Sequence, residues 1–135
     1  MKNTFTFILL IFITTTVTAQ IGFTKSKLIE SHKDYKMDIT DDGIEYITYT
    51  LEFDTYNQFV ACYLTEKKEG EEQMCYKALM IEPSSETNNW IKYFNNENYV
   101  KIDAMVWKDY EHSIVYKVSV KDSNCLVIKY FDREL

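Results

Sequence analysis

The cysteines are the residues of this chain best able to do chemistry, and Cys62, Cys75 and Cys125 are its three thiols. Residues Gln58 to Thr65 alternate in polarity, as do Gln73 to Glu82, and a charged tip from Glu66 to Glu72 separates them. Two alternating runs around a polar tip predict a hairpin. The register that gathers Phe59, Ala61 and Tyr63 with Met74, Tyr76 and Ala78 on one face pairs Ala61 with Tyr76 and sets Cys62 opposite Cys75. Directly opposed residues at a non-hydrogen-bonded site have Cα atoms roughly 4.5 Å apart, which a disulfide accepts. A Cys62–Cys75 cross-strand disulfide is therefore expected, closing a loop worth about 2–3 kcal/mol of chain entropy. The plainer alternative is two small buried residues that face each other. Cys125 is left over, and a buried small residue at a strand start is expected before an intermolecular link or a reactive thiol.

Other candidates carry less. Asp38 to Gly43 has oxygens at positions 1, 3 and 5 and Gly at 6 of a calcium loop, but Tyr49 stands where the bidentate acid belongs. A hairpin turn explains Asp41-Asp42-Gly43 more simply. His32 and His112 are the only histidines, too few for a zinc site unaided. His32 is expected to border a helix's packed face, and a His112–Cys125 nucleophile pair is disfavoured by the spacing of the last hairpin. No G-x-S-x-G, G-x-G-x-x-G or P-loop pattern occurs. Carboxylate pairs among 21 acids arise by chance. No catalytic, metal or cofactor-binding residue is assigned. Aromatics with polar tips suit recognition, so Tyr93, Tyr99 and Tyr110 form the candidate binding patch. Trp90, Phe94 and Trp107 are expected in the core.

The elements that must hold these residues follow from periodicity. Thr24 N-caps a short helix in which Leu28, Ile29 and His32 share a face. Tyr35 to Thr40 and Ile44 to Phe53 form a hairpin over Asp41-Asp42-Gly43, with Met37 opposite Ile47 and Tyr35 opposite Tyr49. After the cysteine hairpin, Pro83-Ser84-Ser85 opens a helix with Trp90, Ile91 and Phe94 on one side. Tyr99 to Trp107 reads as one strand. In the last hairpin a three-residue loop, Lys121-Asp122-Ser123, would pair Val118 with Leu126 and Tyr116 with Ile128. The order is α-β-β-β-β-α-β-β-β, an α+β two-layer sandwich of mostly antiparallel sheet with two helices on one face.

Address comes from the first nineteen residues. Lys2 precedes an uncharged run to Ala19 with an apolar centre from Phe5 to Ile13, closing on Val17-Thr18-Ala19. That is the pattern of a cleaved secretory signal peptide. A transmembrane anchor wants roughly 20 apolar residues, whereas Thr14, Thr15, Thr16 and Thr18 interrupt this one. Residues 20–135 are then a single exported domain, periplasmic or secreted, with no lipid-modified cysteine at the cleavage point. The whole chain carries 15 Lys+Arg against 21 Asp+Glu. Nucleic acid and anionic membrane surfaces are therefore poor partners. With 3 Gly and 1 Pro against 11 Tyr and 8 Phe, the domain should be ordered and strand-rich.

Gly22-Phe23-Thr24-Lys25-Ser26-Lys27-Leu28 resembles the helix-opening segment of small envelope proteins of the β-lactamase-inhibitor-like and outer-membrane assembly lipoprotein type. More of the chain is similar to small exported bacterial α+β proteins of unknown function. The shared layout is a Cys-bearing hairpin, a helix with Phe94-Asn95, a strand with Tyr99-Val100, then Trp107. The element order is also similar to secretion-chaperone and TATA-binding-protein-like sandwiches, in architecture alone. The expected function is an exported, soluble, non-enzymatic module that binds a protein or cell-envelope component. An inhibitor or immunity-type protein against a secreted enzyme is the first alternative, and an enzyme of unrecognised class the second.

Overall fold

A computed structural model describes residues 20–133; the leader expected over residues 1–19 lies outside them. The chain runs α1 (Lys25–Ser31), β1 (Lys36–Ile39), β2 (Glu45–Glu52), β3 (Asn57–Leu64), β4 (Cys75–Pro83) and a 3₁₀ turn (Ser84–Glu86). It continues as α2 (Thr87–Asn96), β5 (Val100–Asp103), β6 (Val106–Asp109), β7 (Ile114–Lys121) and β8 (Asn124–Phe131). One eight-stranded sheet of order β1-β2-β3-β4-β8-β7-β6-β5 results, every neighbouring pair antiparallel. The class is α+β, as expected. The element order differs by one strand: residues 99–107 do not form a single strand but turn tightly at Ala104-Met105, with Met105 at φ 58°. No Gly, Asn or Pro marks that turn, so the sequence pattern ran straight through it.

Local signals built several elements as expected. The Thr24 hydroxyl accepts the Lys27 N–H at 3.3 Å and caps α1. The first hairpin closes over Asp41-Asp42-Gly43, with Gly43 at φ 87° and Met37 opposite Ile47. Phe94 is fully buried, with its ring centroid 5.1 Å from Trp107 and 4.9 Å from Tyr116. Trp107 is buried too, while Trp90 is half-buried against the same core and donates its indole N–H to Glu82 at 2.7 Å. Deleting such a buried ring costs about 3–5 kcal/mol. From α1, the C-capping His32 stacks on Tyr49 with ring centroids 3.5 Å apart. The strand registers put Tyr49, Glu82, Tyr116 and Trp107 on one face of the sheet, so both helices meet the same face.

Two hairpin registers differ from expectation, each for a physical reason. In β3–β4, Cys62 lies opposite Ala78 rather than Cys75, and Ala61 opposite Leu79 rather than Tyr76. A bulge then skips Tyr76, so Leu64 pairs with Cys75. The extra residue restores alternation and turns Cys75 onto the helix-covered face beside Cys62. Among the described residues all three cysteines are free, buried thiols. In β7–β8 the connection has two residues, not three. Asp122 and Ser123 both have positive φ, 51° and 65°, the backbone of a type I′ turn. Val118 therefore faces Val127, and Tyr116 faces Lys129. A one-residue slip exchanges the faces of a strand. Cys125, Val127 and Lys129 go under the helices, and Leu126, Ile128 and Tyr130 go to the other side.

Type I′ turns favour Asn, Asp or Gly at the first central position and Gly at the second, because a left-handed backbone costs most other residues roughly 1 kcal/mol. Ser123→Gly should therefore raise the stability measured by urea unfolding by about 0.5–1 kcal/mol. A neutral or destabilising result would mean that the β7–β8 connection is not this turn.

Candidate functional site

Of the three candidate patch tyrosines, two come together. Tyr93 from α2 and Tyr99 from the loop after it line a cleft of about 530 Å³ with Glu97, Asp109, Glu111 and His112. Ile21, Ile114 and Phe131 supply apolar lining, and Arg133 lines it too, with its guanidinium 4.4 Å above the Phe131 ring. Tyr110 is 61% exposed but does not line the cleft; the Lys108 ammonium lies over its ring at 4.7 Å.

The fold positions these groups through packing. Tyr93 and Phe94 meet edge to face at 5.4 Å, and Tyr99 stacks on Tyr116 at 5.2 Å. Both cleft tyrosines thus lean on the core, and their hydroxyls neighbour each other and that of Tyr116. Burial pushes the phenols of Tyr93, Tyr99 and Tyr116 above the ordinary tyrosine range, and nearby acids including Asp109 add to it. Tyr116 Oη is buried and makes no hydrogen bond of normal geometry, although the Tyr99 hydroxyl is close enough to favour its ionised form.

Asp109 was missed by sequence reasoning. It ends β6 buried, where Oδ1 accepts the N–H groups of Glu111 (3.0 Å) and His112 (3.2 Å) and Oδ2 lies 2.7 Å from His112 Nδ1. The signal was the run Asp109-Tyr110-Glu111-His112: an acid that caps its own turn, followed by a histidine at the third place. One ligand atom each from Asp109, Glu111 and His112 lies within 4.8 Å of the others, an arrangement able to hold a divalent cation. The Asp109–His112 pair also has the form of a base with its orienting carboxylate. Among the described residues, however, no hydroxyl or thiol hydrogen-bonds the other ring nitrogen. What remains is an aromatic-walled pocket with the Asp109 carboxylate fixed in place and exposed Glu97 and Glu111 beside it, suited to a cationic or hydrogen-bond-donating group.

A larger open depression of about 1050 Å³ lies beneath the β3–β4 tip, lined by Ile44, Leu64, Met74 and Tyr76 and by exposed Lys and Glu. Its buried polar member, Gln73, already gives its amide to Glu45 (2.6 Å) and to the Thr65 carbonyl (3.0 Å). Converging polar groups favour the smaller cleft. In the first hairpin turn, Thr40 donates to Asp42 at 2.6 Å and accepts the Ile44 N–H at 2.9 Å, which accounts for Asp42 as a turn residue. Comparison with protein-family models, with curated proteins and with solved structures finds no match to this chain.

The raised phenols have a consequence at high pH. The folded protein holds these protons more tightly than the unfolded chain, so their stabilisation is complete below about pH 10 and is lost as pH rises further. Absorbance from these phenolates should appear together with unfolding, and Tyr99→Phe should move the alkaline midpoint upward. Eleven tyrosines all titrating near pH 10 in an intact fold would contradict the burial.

Proposed function

We propose that this protein is an exported, soluble, non-enzymatic module that binds a protein or cell-envelope component. The supporting observation is the cleft in which Tyr93, Tyr99 and the buried Asp109 carboxylate face one space. Its chemistry suits a lysine or arginine side chain of a partner: acidic groups attract the charge and tyrosine rings cover the stem. Arg133, with its guanidinium 4.4 Å over the Phe131 ring, already sets one cation against an aromatic lining residue of this cleft. Export rests on the leader pattern of residues 1–19. Within the described residues, no helix is long and apolar enough to cross a membrane.

The finer architecture belongs to the same proposal. With both helices meeting one face, the domain reads as a two-layer sandwich. Its second sheet face carries Phe59, 40% exposed, among half-buried Ile81, Leu126, Ile128 and Tyr130. Such a face extends the surface open to a partner.

Glu97 and Glu111 are exposed and line the cleft, so charge reversal there should spare the fold. The wild-type domain should retain one stoichiometric partner from an envelope extract. Glu97→Lys with Glu111→Lys should weaken its retention at least about tenfold. No partner, or equal retention by the double variant, would sink the proposal.

A further inference from the structure

Six side chains form one lateral row beneath the helices: Ile47, Cys62, Ala78, Lys129, Tyr116 and Trp107, each from a different strand. None of the six is more than 1% exposed. Ala78 stands between Cys62 and Lys129 in that row. The bulge at Tyr76 brings Cys75 onto the same face, one pair further along, opposite Leu64. Cys62 and Cys75 are thus diagonal neighbours in a closed interior. Tyr49 Oη stands 4.0 Å from Cys62 Sγ, while Cys75 donates its S–H to the Lys77 carbonyl at 3.3 Å.

We propose that Cys62 and Cys75 are an oxidisable dithiol that closes to a disulfide across the bulge. In the closed interior the contact between the two sulfurs leads in lowering the Cys62 thiol, with smaller help from Tyr49 and the Lys129 ammonium, and that same contact, followed by burial, pushes the Cys75 thiol up. Burial in turn holds the Lys129 ammonium down to about 8. The co-reactant is an external disulfide, either glutathione disulfide or the oxidised dithiol of an oxidoreductase. Either cysteine, as its thiolate, attacks one sulfur of that disulfide, breaking the S–S bond and releasing one thiolate. The other cysteine then loses its proton and attacks the sulfur of the first, forming the internal bond and expelling the second thiol. Two protein thiols become one disulfide, and one external disulfide becomes two thiols.

Because both sulfurs are sealed from solvent, exchange proceeds through opening of the β3–β4 hairpin or before it closes during folding. The finished bond clamps the bulged Tyr76 and Leu64, which line the larger depression. Cys125 lies on β8 opposite Glu82, away from this pair, and stays reduced.

Refolding the chain in a glutathione redox buffer, then trapping thiols with an alkylating reagent under denaturing conditions, tests this directly. Peptide mapping should find residues 62 and 75 joined and Cys125 alkylated. Three alkylated cysteines after oxidative refolding, or a bond that uses Cys125, would overturn the proposal.

Discussion

The burial of one lysine constrains much of this structure. Lys129 is fully inaccessible and sits midway along a row of otherwise apolar, thiol or phenol side chains. Moving an ammonium out of water costs several kcal/mol unless partners replace the solvent. Its Nζ donates to the side-chain oxygen of Gln20, at the start of the described chain. The adjacent segment is fixed by two backbone bonds, Gly22 N–H to the Cys75 carbonyl and Cys75 N–H to the Phe23 carbonyl, both at 2.8 Å. The residues before α1 are therefore tied to the start of β4 where the charge needs an acceptor. The Cys62 thiol is lowered chiefly by its contact with Cys75, and the same ammonium adds a smaller pull.

The covered face decides what the rest of the molecule can present. Burying Lys129 requires the two-residue β7–β8 turn, and that turn sends Leu126, Ile128 and Tyr130 to the side away from the helices. Under the helices, aromatic packing of Phe94 against Trp107 and Tyr116 carries Tyr93 and Tyr99 to the cleft as a rigid pair. The Trp107 indole donates to Asn95 at 3.0 Å, fixing the end of α2 to β6. Cleft walls set by the core are pre-organised, and a partner then needs to order little of the site on binding.

How much of this was legible in sequence depended on the range of the signal. Elements with local punctuation were readable: the Thr24 cap, the Asp41-Asp42-Gly43 turn and the helix carrying Trp90 and Phe94. Both failed registers needed information that alternation lacks. Leu126, Ile128 and Tyr130 look more apolar than Cys125, Val127 and Lys129, so hydrophobicity pointed β8 the wrong way; left-handed Asp122 and Ser123 overruled it. A bulge at Tyr76 likewise leaves no compositional mark, yet it decides where Cys75 faces. Tyr93 and Tyr99 were readable as candidates because tyrosine unites a ring with a polar tip. Asp109 was not, since its importance comes from burial at a strand end far from Tyr93 in sequence.

The most direct test is the register itself. In uniformly labelled protein, cross-strand contacts between α-protons can be read by NMR along β7 and β8. If Lys129 occupies the buried row, Tyr116 should contact Lys129 and Val118 should contact Val127. Contacts from Tyr116 to Ile128 and from Val118 to Leu126 would place the lysine on the other face and remove the constraint on which this structure depends.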